Sequence, residues 1–313
     1  MKTKAHLVVA AFFLHCAVSN AEEKRSIGTP FEEVSYWEKA LRRPAPLAIY
    51  GCASVNATSH FITNYGLNLE NQGVMLQPQL SLHTHLYKNP LGIVSDVLLT
   101  VGGWTTWNSK AGGVAPGHIR EVDLFNGLTL TIADALKVSV FYASYLSQTK
   151  SFRTAWDILT SISLDDSRWL GRLALNPFFE FRRQLEGRNN VTIYGTNPNE
   201  SHQFKLGVVP GVVCANKVKL EAPMFFTVIP NGFYQRRNGS LASGGVGFAA
   251  VGLRASVPIR ALSIGRGVTN VYAGVQYYRF LNEGLLDINA ILNATNSPQS
   301  DLVQFNAGIT AAF

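Results

Sequence analysis

The chain has 313 residues and a formal net charge of +7, from 27 Lys and Arg against 20 Asp and Glu. Charged residues make up only 15% of it, well below the roughly 25% usual for soluble domains, while hydrophobic residues stand at 47%. That balance excludes an intrinsically disordered chain, a coiled coil and a highly charged nucleic-acid binder, and three Cys are too few for a disulfide-stapled secreted scaffold.

Lys2 and Lys4 precede an apolar run from Ala5 to Val18, and Ser19-Asn20-Ala21 supplies small residues at the cleavage spacing. These three parts predict a secretory signal peptide over 1–21, cleaved after Ala21. A retained anchor fits less well, because the run is short and carries His15. A lipoprotein signal would use Cys16, but Leu14-His15 before it lacks the small residues such processing needs. No later stretch is long and apolar enough for a spanning helix. Two options remain: a soluble exported protein, or a chain that crosses a membrane as a closed β-barrel, since lipid forbids unsatisfied backbone groups.

Residues 22–49 read differently from the rest. Thr29 is placed to cap a helix, Pro30 suits its first position and Glu32 completes a capping box. Phe31, Val34, Trp37 and Leu41 then recur at helical spacing until Pro44 and Pro46. The spacing predicts one short amphipathic helix over 30–42 in an N-terminal periplasmic segment, with a plain linker as the alternative.

From about Ser54 onward the period becomes 2. Val74, Leu76, Leu80, Leu82 and Leu86 alternate with Gln77, Gln79, Ser81, His83 and His85, about twice the length of a typical globular strand and in the range of lipid-spanning strands. The same alternation predicts twelve strands, over 54–65, 73–87, 92–106, 118–131, 135–147, 151–163, 172–186, 203–211, 217–230, 244–258, 268–281 and 302–313. An even number suits a single-chain outer-membrane barrel, and long joins at 107–117, 187–202 and 282–301 alternate with short ones at 88–91 and 132–134. Pro78, Pro177 and Pro223 should each cost a ladder bond. The fold class read from this is all-β: a transmembrane antiparallel up-and-down barrel over 50–313. A soluble exported β-sandwich is the alternative.

Phe305, Ala307, Ile309, Ala311 and Phe313 occupy alternate positions of the final segment, with Gln304, Asn306, Gly308 and Thr310 between them. This ending resembles the C-terminal signal of Gram-negative outer-membrane barrels, in which an alternating last strand closes on an aromatic residue. The runs Glu121-Val122-Asp123-Leu124, Tyr142 to Leu146, Thr154 to Ile158 and Leu175-Asn176-Pro177-Phe178 resemble the middle of uncharacterised porin-type and transporter-type barrels of that membrane. The resemblance covers 50–313 and leaves 22–49 outside the pattern. It implies residence in the bacterial outer membrane, contact with its lipid, and recognition of 302–313 by the barrel assembly machinery through Phe305, Ile309 and Phe313.

Chemistry-bearing motifs are few. His83 and His85 share one strand face, but a zinc site wants three or four ligands and the strand offers only Gln79 and Ser81 beside them. A lumen-facing polar pair is the simpler reading, so no metal and no cofactor are expected. Cys52 and Cys214 survive signal removal and could pair in an oxidising periplasm. No Gly-x-Ser-x-Gly elbow occurs, Asp165-Asp166 reads as a turn, and basic residues are dispersed, which speaks against nucleic-acid binding. No enzymatic activity is expected.

The inward-facing set is then His83, His85, Asp96, Asp123, Arg153, Asp157, Glu180, Arg182, Lys217, Lys219, Glu221, Arg254 and Gln276, with Phe178, Phe225, Tyr272 and Tyr278 narrowing the path. Opposed charges across a lumen set up a field that orients polar solutes. The expected function is a monomeric channel for passive passage of small polar solutes. The alternatives are a sealed barrel, structural or adhesive through its loops, with the same charges as an internal network, and an outer-membrane hydrolase.

Overall fold

The computed structural model describes residues 49–110, 117–148, 154–186, 202–214, 218–259, 267–293 and 299–313. The predicted signal peptide, the helix expected over 30–42, Arg153 and Lys217 lie outside the described residues.

Twelve antiparallel strands close on themselves. In chain order they are β1 (Ile49–Thr58), β2 (Met75–Lys88), β3 (Val94–Asn108), β4 (Ile119–Ile132), β5 (Leu136–Ser147), β6 (Ala155–Leu164) and β7 (Pro177–Glu186). There follow β8 (His202–Val208, resumed at Gly211–Val213), β9 (Lys219–Glu221, resumed at Met224–Ile229), β10 (Gly245–Pro258), β11 (Thr269–Phe280) and β12 (Asp301–Ala312). Each strand pairs with its neighbours in sequence, and β12 pairs back onto β1 from Ala312 opposite Cys52 to Asn306 opposite Thr58. The interruptions in β8 and β9 fall at Pro210 and Pro223, which have no N–H to give the ladder. Their carbonyls still accept, from Ala222 at 2.9 Å and Gly252 at 2.8 Å. Pro177 opens β7, a position where a missing donor is tolerated.

Closure gives every strand an inside and an outside. On β2, Leu80, Leu82 and Leu86 are exposed on the outer face while Ser81, His83 and His85 are buried. Leu124 and Leu128 of β4, Val140 and Tyr142 of β5, Phe226 of β9, Val251 of β10 and Phe305 and Ile309 of β12 continue that outer face. So extensive an apolar exterior over a polar interior inverts the usual soluble arrangement and suits a surface that lipid covers.

The joins differ between the two ends. At the end where β1 begins and β12 finishes, β4 and β5 are linked by the three residues 133–135, with Ala133 and Asp134 both left-handed (φ 51° and 54°) and the Ala135 N–H donating to the Ile132 carbonyl at 3.1 Å, a tight turn. The β6–β7 join there carries a short helix, α1 (Ser167–Leu170). At the opposite end, 59–74, 230–244 and 281–300 are longer. The first contains a small hairpin (Phe61–Ile62 with Asn68–Glu70), and the last contains α2 (Glu283–Leu292), capped by the Asn282 side chain.

Three expectations are corrected. The first strand runs over Ile49–Thr58 rather than 54–65, because pairing with β2 and β12 on both sides sets its limits and the alternation that continues past Thr58 belongs to the inserted hairpin. Cys52, read from the sequence as preceding the first strand, therefore lies inside β1, opposite Ser81 and Ala312. The segment 282–301, expected as a plain loop, holds α2, whose apolar side (Leu285, Ile288, Leu292) is buried.

Two glycines permit close contacts that the barrel uses. A Cβ on Gly51 would stand 2.4 Å from the Phe313 ring, and one on Gly127 would stand 2.4 Å from the Val140 carbonyl and 2.5 Å from the Phe141 ring. The clash at Gly127 cannot be relieved cheaply, because the Val140 carbonyl is backbone. Gly127→Val should therefore destabilise the barrel by about 1–3 kcal/mol through overpacking, measured as a lowered denaturation midpoint of the folded protein in detergent.

Candidate functional site: the charged lumen and its stopper

Alternate residues of the strands bring polar side chains into the barrel in layers. Near the end where β1 begins and β12 finishes, the His83 ring is held between Ser81 Oγ and Thr100 Oγ1, each 2.9 Å away. His85 Nδ1 lies 2.7 Å from Asp96 Oδ1. Tyr50 covers both rings, its centroid 5.2 Å from that of His83 and 5.6 Å from that of His85. With each histidine only 1% exposed and no group of three ligating side chains among the described residues, the pair is packed rather than open.

Further round, Lys219 and Glu221 sit on alternate inward positions of β9 and pair at 2.7 Å. Arg254, opposite Glu221 on β10, lays its guanidinium 3.8 Å from the Tyr272 ring centroid, a cation–π contact. Glu180 of β7 accepts from Lys205 of β8 at 2.8 Å, and that ammonium lies 5.2 Å from the Phe225 ring. Gln276 accepts from the Tyr278 hydroxyl at 3.2 Å.

The densest layer lies toward the other end. Asp157 of β6 accepts from Arg182 Nη1 at 3.1 Å, and the same nitrogen donates to the Tyr145 hydroxyl at 2.5 Å. Glu121 and Asp123, on alternate inward positions of β4, face the same space, Asp123 lying opposite Tyr145 and Trp104. Asp157 also accepts from the hydroxyl of Tyr65. Tyr65 belongs to no strand of the wall. It comes from 59–74, which folds into the barrel mouth and places Phe61 against Trp104, 5.7 Å between centroids.

This inserted segment is the tip of a stopper. Tyr65 and Leu67 bury against Phe233 and Tyr234 of 230–244, Leu285 and Ile288 of α2, and Phe248 and Phe280 of the wall. The Tyr234 hydroxyl donates to the Tyr65 carbonyl. Asn289 of α2 accepts from the Asn68 N–H at 2.9 Å and donates to the Gly66 carbonyl at 3.1 Å. Burial pushes both phenols well above their ordinary range, with the Asp157 carboxylate adding to the effect at Tyr65, so both remain hydrogen-bond donors.

Of the residues expected to face inward, His83, His85, Asp96, Asp157, Glu180, Arg182, Lys219 and Glu221 are buried. They are joined into separate pairs rather than left as a free ladder of charge. Several members of those pairs had no individual signal. Lys205, Gln203, Glu121 and Tyr145 share the strand phase of residues already singled out and were reachable by extending the alternation. Tyr65 was not, because a reading that treats 54–65 as wall cannot place it in the lumen.

The buried Lys205–Glu180 pair offers a direct check on this geometry. Lys205→Ala leaves Glu180, 4% exposed, without its cation and should cost about 3–5 kcal/mol. Replacing both with Met should cost far less. Denaturant midpoints of the two variants in detergent test the difference.

No protein-family model matches the sequence and no curated protein matches it. Similar solved structures include an outer-membrane channel from Pseudomonas putida F1, 9% identical, covering 87% of this chain and 98% of that one with a TM-score of 0.45. They also include the NanC porin, 11% identical over 85% of this chain and 99% of that one, with a TM-score of 0.39. Outer membrane phospholipase A from Escherichia coli is 16% identical, over 84% of this chain and 92% of that one, with a TM-score of 0.36.

Proposed function

We propose that the chain is a bacterial outer-membrane channel, exported through the signal at 1–21, that passes small polar solutes through its charged lumen. The observation that carries this reading is the interior itself. Ionisable side chains run from the His83–His85 layer at one end to the Asp157–Arg182 layer at the other, inside an apolar exterior. Buried ion pairs are expensive to desolvate and seldom more stable than an apolar filling of equal volume. A wall that needed only stability would have little use for so many of them, whereas a wall that takes up water and solute would. The reading involves no covalent step and no cofactor. Contact with outer-membrane lipid and insertion by the barrel assembly machinery go with it, and the protein acts as a monomer.

A second reading has its own support. His83, His85, Asp157, Glu180, Arg182 and Glu221 are each 4% exposed or less, so in this conformation the lumen is filled, as a sealed structural or adhesive barrel would be. Twelve strands enclose less space than the 16–18 of general porins, which is compatible with either state.

Planar-bilayer recording of the folded chain separates the two. A channel should give discrete, reproducible conductance steps, and Lys219→Ala should shift its ion preference toward cations with the fold retained. A sealed barrel should be silent although inserted, and the same substitution should only lower its stability.

A further inference from the structure

The stopper has two unlike sides. Toward β10, β11 and α2 it is seated by the apolar cluster of Tyr65, Leu67, Phe233, Tyr234, Phe248, Phe280, Leu285 and Ile288, and by the Asn289 hydrogen bonds. Toward β3–β8 its hold is chiefly polar, the Tyr65 hydroxyl on Asp157, with the Phe61–Trp104 ring contact beside it. Among the described residues, buried polar atoms with no hydrogen-bond partner include Thr106 Oγ1, Asn108 Oδ1 and Nδ2, Asp123 Oδ1, Asp157 Oδ1 and Gln203 Nε2, all on β3–β8. Each such group is costly to keep dry, because it has given up water without gaining a partner. Admitting water along the polar side removes that penalty, whereas admitting it along the apolar side exposes a hydrophobic cluster. The two sides of one stopper therefore have opposite responses to hydration.

We propose that residues 59–74 form a gate that stays seated on its apolar side and parts from the wall along its polar side, with the Tyr65–Asp157 hydrogen bond as the latch. The opened path runs past Glu121, Asp123 and Asp157, to which Arg182 supplies the paired cation, so it favours cations and cationic polar solutes over anions. The gating of solute rests on the channel reading above. The parting of the stopper does not.

The test uses the folded mature chain, residues 22–313, with Cys52→Ser and Cys214→Ser, and Thr106→Cys as a reporter, since Thr106 is 0% exposed while the latch is closed. Labelling by a water-soluble, membrane-impermeant maleimide reports parting of the seam, and bilayer recording reports passage. Tyr65→Phe removes the hydroxyl and keeps the ring in its apolar seat; Asp157→Asn is the second variant, used if the first fails to show the heat-dependent gel migration of a folded barrel. A hydrogen bond to a charged acceptor is worth about 1.5–3 kcal/mol. Labelling should therefore quicken about tenfold or more, together with longer open times and cation-preferring current. Faster labelling without current upholds the gate and overturns the channel reading. Unchanged labelling in a folded variant overturns the gate, and it does so whether or not the wild type conducts.

Discussion

Everything in this molecule depends on the pairing of β1 with β12. In a lipid environment a backbone N–H or C=O left without a partner costs several kcal/mol, so a sheet survives there only if it has no edge. The seam is carried from Thr58 opposite Asn306 to Cys52 opposite Ala312, and just past the end of β12 by reciprocal bonds between Gly51 and Phe313 at 2.9 and 3.0 Å. The Phe313 ring lies over Gly51, where any side chain would collide with it. The aromatic residue expected to serve as an assembly signal thus also packs the joint that closes the ring.

Closure turns a period of 2 into a division of environment. Once the outer positions face lipid, the inner ones must accommodate whatever polarity the sequence carries, and a twelve-stranded ring leaves them little room. The result is a lumen of short-range pairs: His85 with Asp96, Glu180 with Lys205, Lys219 with Glu221, and Asp157 with Arg182. Aromatic rings take up much of the remaining space beside glycines and cations. Phe141 lies against Gly127, Phe225 beside Lys205 and Tyr272 under Arg254. Such an interior is held by complementarity, so removing one partner is far more damaging than removing both.

The stopper shows how insertions at one end of a barrel can share a core of their own. The segments 59–74 and 230–244 and the helix α2 are far apart in sequence, and each has too few apolar residues to fold independently. Together with Phe248, Tyr278 and Phe280 of the wall they bury a continuous cluster at the barrel mouth. Because that cluster lies to one side, the opposite side of the mouth is left to hydrogen bonds. The contrast between a non-directional apolar seat and a few directional polar contacts gives the mouth its asymmetry.

By itself the sequence carried the all-β barrel class, a count of twelve strands and a phase for the inward positions. All three follow from local alternation, which persists along each strand and needs no knowledge of distant partners. His83, His85, Glu180, Arg182 and Arg254 were legible as inward because neighbours two residues away shared their polarity. Three things were decided only by the tertiary structure. The limits of β1 come from partners more than 200 residues away in β12. The inward course of 59–74 comes from an apolar cluster assembled from three separate insertions. The meeting of Tyr65 with Asp157, 92 residues apart, comes from the circumference of the ring. Alternation says which way a side chain points. Only closure says what stands across from it.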